Sequence, residues 1–223
     1  VIVEHYSKNQ GLLNNMVSMT EKDSDGFMWF ATWYGLCRFD GEKVLTYNHY
    51  QLDNDVPPRK IQYIIDDAKG FIWIKTIDHK LYLFDKKKEC FKAVYGNIKR
   101  FVANVQVIKL QRAFDDYVLL LTKDKNLFLA RVDEQGKVQI ELLFEAKDYI
   151  DSSNYMLKSN LFFENNAYIG WIGVDYKINV LPKGEALKGK PADFFLNQVK
   201  LNSGSKFSSS VIHDTLMWLG TSD

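Results

Sequence analysis

Four histidines, two cysteines and 28 acidic residues are the groups here that could support acid–base, nucleophilic or metal chemistry. Their spacing argues against all three. His5, His49, His79 and His213 stand far apart, with no H-x-x-x-H or H-E-x-x-H pattern to set two imidazoles on one metal. Cys37 and Cys90 are too few for a four-ligand zinc site or a disulfide framework. They read as buried thiols, although an oxidising compartment would allow a bridge. Asp23-Ser24-Asp25-Gly26 opens like a calcium loop, but a full loop needs more oxygen ligands and a distal Glu. It reads instead as a capped β-turn. No nucleophile elbow, phosphate loop or dinucleotide fingerprint occurs, and no convincing carboxylate pair for glycosidase or lyase chemistry stands out. The expectation is no metal, no cofactor and no catalysis in this region. What remains is recognition chemistry. Aromatic faces pack on C–H surfaces, and planar polar groups hydrogen-bond hydroxyls. Trp33 with Tyr34, and Tyr176 with Lys177, have that character. Arg59, Lys80, Arg100 and Lys125 could meet a carboxylate or sulfate group.

The elements that must hold these residues repeat. Gly26-Phe27-Met28-Trp29-Phe30-Ala31-Thr32 recurs as Gly70-Phe71-Ile72-Trp73-Ile74-Lys75-Thr76. A third, eroded copy reads Val118-Leu119-Leu120-Leu121-Thr122, a fourth Trp171-Ile172-Gly173-Val174, and a fifth Met217-Trp218-Leu219-Gly220-Thr221. From Thr32 through Thr76, Thr122 and Val174 to Thr221 the spacings are 44, 46, 52 and 47. A period in the forties built from short strands is the β-propeller range. Glycine-bearing turns divide the first unit into strands a to d: Asp25-Gly26, Tyr34-Gly35 and Asp40-Gly41. The chain therefore reads as all-β, a β-propeller of four-stranded antiparallel blades at about 11–50, 59–95, 104–144 and 157–201, with half a blade from 206. The fifth unit stops after its strand b, so the expectation is an incomplete fragment of a larger, seven-bladed propeller.

Composition agrees. Aromatics make up 14% of the 223 residues, which suits pleated faces. Lys and Arg total 29 against 28 Asp and Glu, and a net charge of +1 gives no broad attraction to nucleic acid or anionic lipid. No apolar run approaches the roughly 18 residues of a membrane helix. In a propeller, strands alternate direction, so b–c turns and d–a connections share one face. That face receives Trp33, Tyr34, Arg59, Asp78, His79, Lys80, Arg100, Lys125, Tyr176 and Lys177 as candidate ligand-binding residues. The recurring Trp29, Trp73, Trp171 and Trp218 read as packing between sheets.

Gly11-Leu12-Leu13-Asn14-Asn15-Met16-Val17, then Asp25-Gly26-Phe27-Met28-Trp29-Phe30-Ala31-Thr32 and Gly35-Leu36-Cys37-Arg38-Phe39-Asp40-Gly41, resembles the two-component regulator propeller repeat. The second copy departs from it at Lys75 and Lys80, where the repeat carries glycine. The resemblance implies a ligand-sensing propeller from the periplasmic region of a hybrid two-component sensor. It implies an oligosaccharide ligand and a homodimeric full-length protein. It also implies a histidine kinase and a membrane span, both outside this chain. A protein-interaction scaffold is the alternative, and a propeller lyase or glycosidase a more distant one.

Overall fold

The computed structural model describes residues 4–48, 57–94, 106–113, 116–124 and 126–145, with side chains as far as residue 142. Beyond them it describes the backbone of 162–164, 168–172, 177–182, 199–200, 207–213 and 216–221. Among these residues the regular structure is a short 3-10 turn, Lys8–Gln10, and eighteen strands.

The strands form successive sheets in chain order. The first holds β1 (Val17–Lys22), β2 (Met28–Thr32), β3 (Gly35–Phe39) and β4 (Val44–Tyr47). The second holds β5 (Ile61–Asp66), β6 (Phe71–Thr76), β7 (Leu81–Asp85) and β8 (Cys90–Ala93). The third holds β9 (Val107–Arg112), β10 (Val118–Thr122), β11 (Asn126–Val132) and β12 (Val138–Glu145). The fourth holds β13 (Phe162–Glu164), β14 (Tyr168–Ile172), β15 (Lys177–Pro182) and β16 (Val199–Lys200). A two-stranded sheet, β17 (Phe207–His213) with β18 (Leu216–Thr221), follows. The architecture is all-β, of four-stranded antiparallel propeller blades. Two compact units divide the chain, Val1–Arg112 and Ala113–Asp223.

Register shows that the repeat is structural. In the first sheet Val17 pairs with Thr32, a bulge follows, and Met19 pairs with Ala31. The second sheet has the same irregularity between Ile61↔Thr76 and Tyr63↔Lys75. It recurs between Phe207↔Thr221 and Ser209↔Gly220. Trp29, Trp73 and Trp218 then face Glu21, Ile65 and Val211, each four residues beyond the first residue of its strand. A bulge sharpens strand twist locally, so one at a fixed register gives successive sheets the same coil.

The tryptophans of the first unit are fastened as well as packed. Asp23 Oδ1 accepts the Asp25 and Phe27 amides at 3.0 and 2.9 Å, and its Oδ2 accepts Trp29 Nε1–H at 2.7 Å. Asp67 repeats this with the Lys69 and Phe71 amides at 2.8 and 3.0 Å and Trp73 Nε1–H at 3.3 Å. One carboxylate thus closes the a–b turn and satisfies an indole donor that is fully buried. The Asp23-Ser24-Asp25-Gly26 segment is a capped turn, with the Asp23 carboxylate committed to the fold.

Trp29 joins Tyr47, Ile61, Ile64, Ile72, Ile74, Phe84 and Phe91 in one core between the first two sheets. Its ring lies 5.8 Å from Tyr47 and 5.5 Å from Phe84. The Arg38 guanidinium stacks over Phe27, Trp29 and Tyr47 at 4.9 to 5.9 Å and pairs with Glu89 at 3.6 Å. Cys37 and Cys90 are buried free thiols. Burial pushes the Cys37 thiol up to about 11. One sequence expectation is corrected here. The consecutive Lys86-Lys87-Lys88 reads from the sequence as a solvated turn, yet the Lys86 side chain is only 10% exposed. Its ammonium lies 2.8 Å from Asp25, 3.0 Å from Asp66 and 3.4 Å from Asp23, tying the second sheet to the first.

Candidate functional site

The b–c turns of the first three sheets each open from a threonine that ends strand b. Thr32 Oγ1–H donates to the Gly35 carbonyl at 2.7 Å, Thr76 to Lys80 at 3.2 Å, and Thr122 to Asn126 at 3.1 Å. The cap holds the turn, and the residues between threonine and acceptor are left for other work. In the first turn these are Trp33 and Tyr34, and in the second Ile77, Asp78 and His79.

Backbone bonds knit the first two turns together. Trp33 N–H donates to the Met16 carbonyl at 3.2 Å. The Trp33 carbonyl accepts Lys60 N–H at 2.9 Å, and the Lys60 carbonyl accepts Ile77 N–H at 2.9 Å. Met16, Trp33, Lys60 and Ile77 therefore form one continuous strip across two blades. Lys60 holds a left-handed φ of 52° to make both of its bonds. A non-glycine residue keeps that conformation when its surroundings over-determine it.

The strip is apolar and open. Met16 is 61% exposed, Val17 36%, Tyr34 51% and Ile77 42%. These are all the exposed large hydrophobics among the described residues of the first unit, and they share one face. Trp33 is half-buried, with the Lys60 ammonium 5.6 Å from its ring centroid. Lys60 is exposed, and so is Arg59, its neighbour in sequence. Asp78 accepts the Thr76 hydroxyl at 2.6 Å and pairs with Lys80 at 3.1 Å. Partial burial works against the Asp78 charge, but the Thr76 hydroxyl and Lys80 outweigh it and hold the carboxyl below its ordinary value. His79 is half-buried, at a φ of 65°, with Nδ1 3.1 Å from the Val107 carbonyl.

Six of the residues expected from the sequence, Trp33, Tyr34, Arg59, Asp78, His79 and Lys80, thus lie in these two turns or in the segment entering β5. Arg100, Lys125 and Tyr176 lie outside the described residues. Lys177 opens β15, where only the backbone is described. The sequence reading missed Met16, Lys60 and Ile77. Ile77 was legible as an apolar residue in a turn position, whereas nothing local announces the conformation of Lys60.

Lys75, on β6, is 1% exposed. Its ammonium bonds the Gln62 side-chain oxygen and lies 5.7 Å from the Tyr63 ring centroid. Burial pushes it down to about 8, against an opposing pull from Asp78. Among the described residues no group of three or more His, Cys, Asp or Glu side chains is placed to hold a metal ion.

The two-component regulator propeller family matches residues 11–34, which run from the segment before β1 into the Trp33-Tyr34 turn. No curated protein sequence matches the chain. Among solved structures it is similar to the extracellular domain of the hybrid two-component system BT3049 from B. thetaiotaomicron, at 19% identity and a TM-score of 0.65, over 98% of this chain and 29% of that one. It is similar to the extracellular domain of the one-component system BT4673 from the same organism, at 17% identity and a TM-score of 0.50, over 97% and 28%. It is also similar to the C-terminal WD40 domain of Sif2, at 11% identity and a TM-score of 0.50, over 77% and 47%. The chain spans less than a third of the length of the two extracellular domains. These likenesses establish the fold, and the match at the first blade establishes its repeat: the chain is built of β-propeller blades and carries a two-component regulator propeller repeat at residues 11–34.

Proposed function

We propose that this chain is part of the ligand-sensing, extracytoplasmic propeller of a hybrid two-component sensor, and that its ligand is an oligosaccharide met on the b–c turn face. The observation that carries the reading is the strip of Met16, Trp33, Lys60 and Ile77. It is an open aromatic and apolar surface with polar groups at its edge, set on turns whose own hydrogen bonds are satisfied. The regulator propeller repeat at residues 11–34 and the likeness to extracellular domains of bacterial signalling proteins support the sensor role and a periplasmic setting. The region acts by binding and not by turnover, without a cofactor. Signal output passes to a histidine kinase in the same full-length protein, which works as a homodimer. Such a device needs a ligand with different affinities for two arrangements of that dimer. Calorimetric titration of the purified chain against a panel of glycan fragments tests the reading. Saturable heat with one class of oligosaccharide is the expected result, and no heat with any class would contradict it.

A second reading, a protein-binding scaffold, is favoured by the aliphatic share of the strip, because Met16, Val17 and Ile77 offer sugars little. It predicts a stoichiometric protein partner released by Ile77→Asp.

A further inference from the structure

Resting on the oligosaccharide reading above, we propose that Lys60 and Arg59 beside Trp33 form an anion-reading corner, so that the ligand of this face is an acidic oligosaccharide bearing carboxylate or sulfate. Three observations converge on that corner. The first is placement. Lys60 is pinned through its amide to Trp33 and through its carbonyl to Ile77, both at 2.9 Å, and adopts a φ of 52° to do so. A loop lysine is ordinarily free to wander, but this one has a fixed backbone between two blades. The second is the neighbour. The Lys60 ammonium stands 5.6 Å from the Trp33 ring centroid, so a cation and an aromatic surface are presented together. An acidic sugar needs both, a flat C–H face on the ring and its charged group on the cation.

The third observation is charge. Elsewhere in the first unit, five cations have carboxylate partners, while Lys69, Lys87 and Lys88 in other turns have none among the described residues. Lys80 has Asp78, Lys86 has Asp23, Asp25 and Asp66, Lys92 has Asp85, Arg38 has Glu89 and Arg112 has Glu21. Among the described residues Lys60 and Arg59 meet no carboxylate, although they adjoin each other in sequence and are both exposed. The Asp78 carboxylate nearby is already engaged by Thr76 and Lys80. Two cations adjacent in sequence that meet no carboxylate among the described residues, one of them 5.6 Å from an aromatic ring centroid, suit an anion arriving from solution. A neutral glycan would draw hydrogen bonds from them, and an anionic one the stronger charge-assisted bonds. The corner also refines the sequence reading: Lys80, expected to be an anion contact, is occupied within its own turn, and Lys60 takes that role.

The test is titration of the full chain with matched pairs. Tetragalacturonate is set against its methyl ester, and a κ-carrageenan tetrasaccharide against its desulfated form. Neutral xylotetraose and cellotetraose complete the panel. The proposal expects the charged member of at least one pair to bind at least about tenfold tighter than its uncharged form. Raising salt from about 50 to about 500 mM should weaken the charged ligand alone. Lys60→Gln should cost that ligand about tenfold, and Lys60→Arg should restore most of the loss. The responding pair tells carboxylate from sulfate. Circular dichroism of each variant verifies folding, and Arg59→Gln provides a second reading of the corner. Equal binding of charged and uncharged forms, binding by neutral glycans only, or a charged ligand indifferent to both Lys60→Gln and Arg59→Gln would overturn the inference and leave the glycan-sensor reading standing. No binding by any member of the panel would overturn both.

Discussion

Lys75 occupies a position on strand b where the first blade has Ala31, and it brings a charge into a space that Ala31 keeps apolar. Its folded value of about 8 lies below the ordinary 10.5 because burial disfavours the ammonium. The folded state therefore holds fewer protons than the unfolded chain between about pH 8 and 10.5, and this residue's contribution to stability rises with pH across that window. Lys75→Met is expected to raise stability by roughly 1–3 kcal/mol at pH 7. The gain should shrink towards pH 10, as read from paired denaturant melts. A gain independent of pH would mean that the charge is not its cause. Asp23 works in the opposite sense. Burial opposes its ionisation, but the Trp29 indole, the Phe27 amide and Lys86 outweigh that and hold the carboxyl below its ordinary value. Its contribution is present above the unfolded value of 3.8 and is lost as pH falls through the lower folded one. Asp23→Asn keeps an oxygen for the turn amides but can turn an N–H towards the Trp29 donor. A loss of about 1–3 kcal/mol is expected, with a shift in Trp29 fluorescence. Both aspartates were visible in the sequence six residues ahead of a tryptophan, at Asp23/Trp29 and Asp67/Trp73. In the third sheet Ala113 donates to Tyr117 as Asp23 does to Phe27, and Leu119 stands three residues before Thr122 where a tryptophan would. Carboxylate and indole are replaced together, which is what a hydrogen-bonded pair requires.

At the scale of the element, the b–c hairpin is the unit proposed to carry recognition, and its geometry is set by residues outside the proposed contact surface. Gly35 begins β3 at a φ of 148°. A Cβ there would come within 2.8 Å of a Leu13 methyl and 3.0 Å of the Tyr47 carbonyl. Gly35→Ala should cost roughly 2–4 kcal/mol, from backbone strain together with overpacking. Gly41 has a φ of 104° and open space around it, so Gly41→Ala should cost only about 1 kcal/mol. Chemical melts of the two variants separate packing from conformation, and equal losses would remove the packing argument. The strands and turns of the first two blades were legible because the repeat marks them twice, with glycine in all three turns of the first blade and in the a–b turn of the second. Lys86 was not legible. Three consecutive lysines read as solvent, yet the Asp85 carboxylate caps the Lys87 and Lys88 amides and the resulting turn leads Lys86 against three carboxylates. A charge run shows composition, whereas burial depends on where the neighbouring blade stands.

At the scale of the molecule, periodicity settled the architecture, because near-equal spacing of one strand pattern admits few folds. It settled the site less completely. A fold assigns a face, and the residues on that face assign a ligand only through the contacts they keep free. Trp33 and Tyr34 stood out in the sequence because they interrupt the repeat, and the structure places them in the first b–c turn. Lys60 was passed over because its backbone conformation is imposed by Trp33 and Ile77, which lie far from it in sequence. The central claim is that ligand meets the strip formed by the first two b–c turns and the entry to β5. Hydrogen–deuterium exchange of the chain, with and without the tightest glycan of the panel, tests it most directly. The account predicts slowed exchange in peptides covering Trp33–Tyr34, Lys60 and Ile77–Lys80, with little change at the a–b turns around Asp25 and Lys69. Protection confined to those a–b turns, or none on the b–c side at saturating glycan, would contradict it.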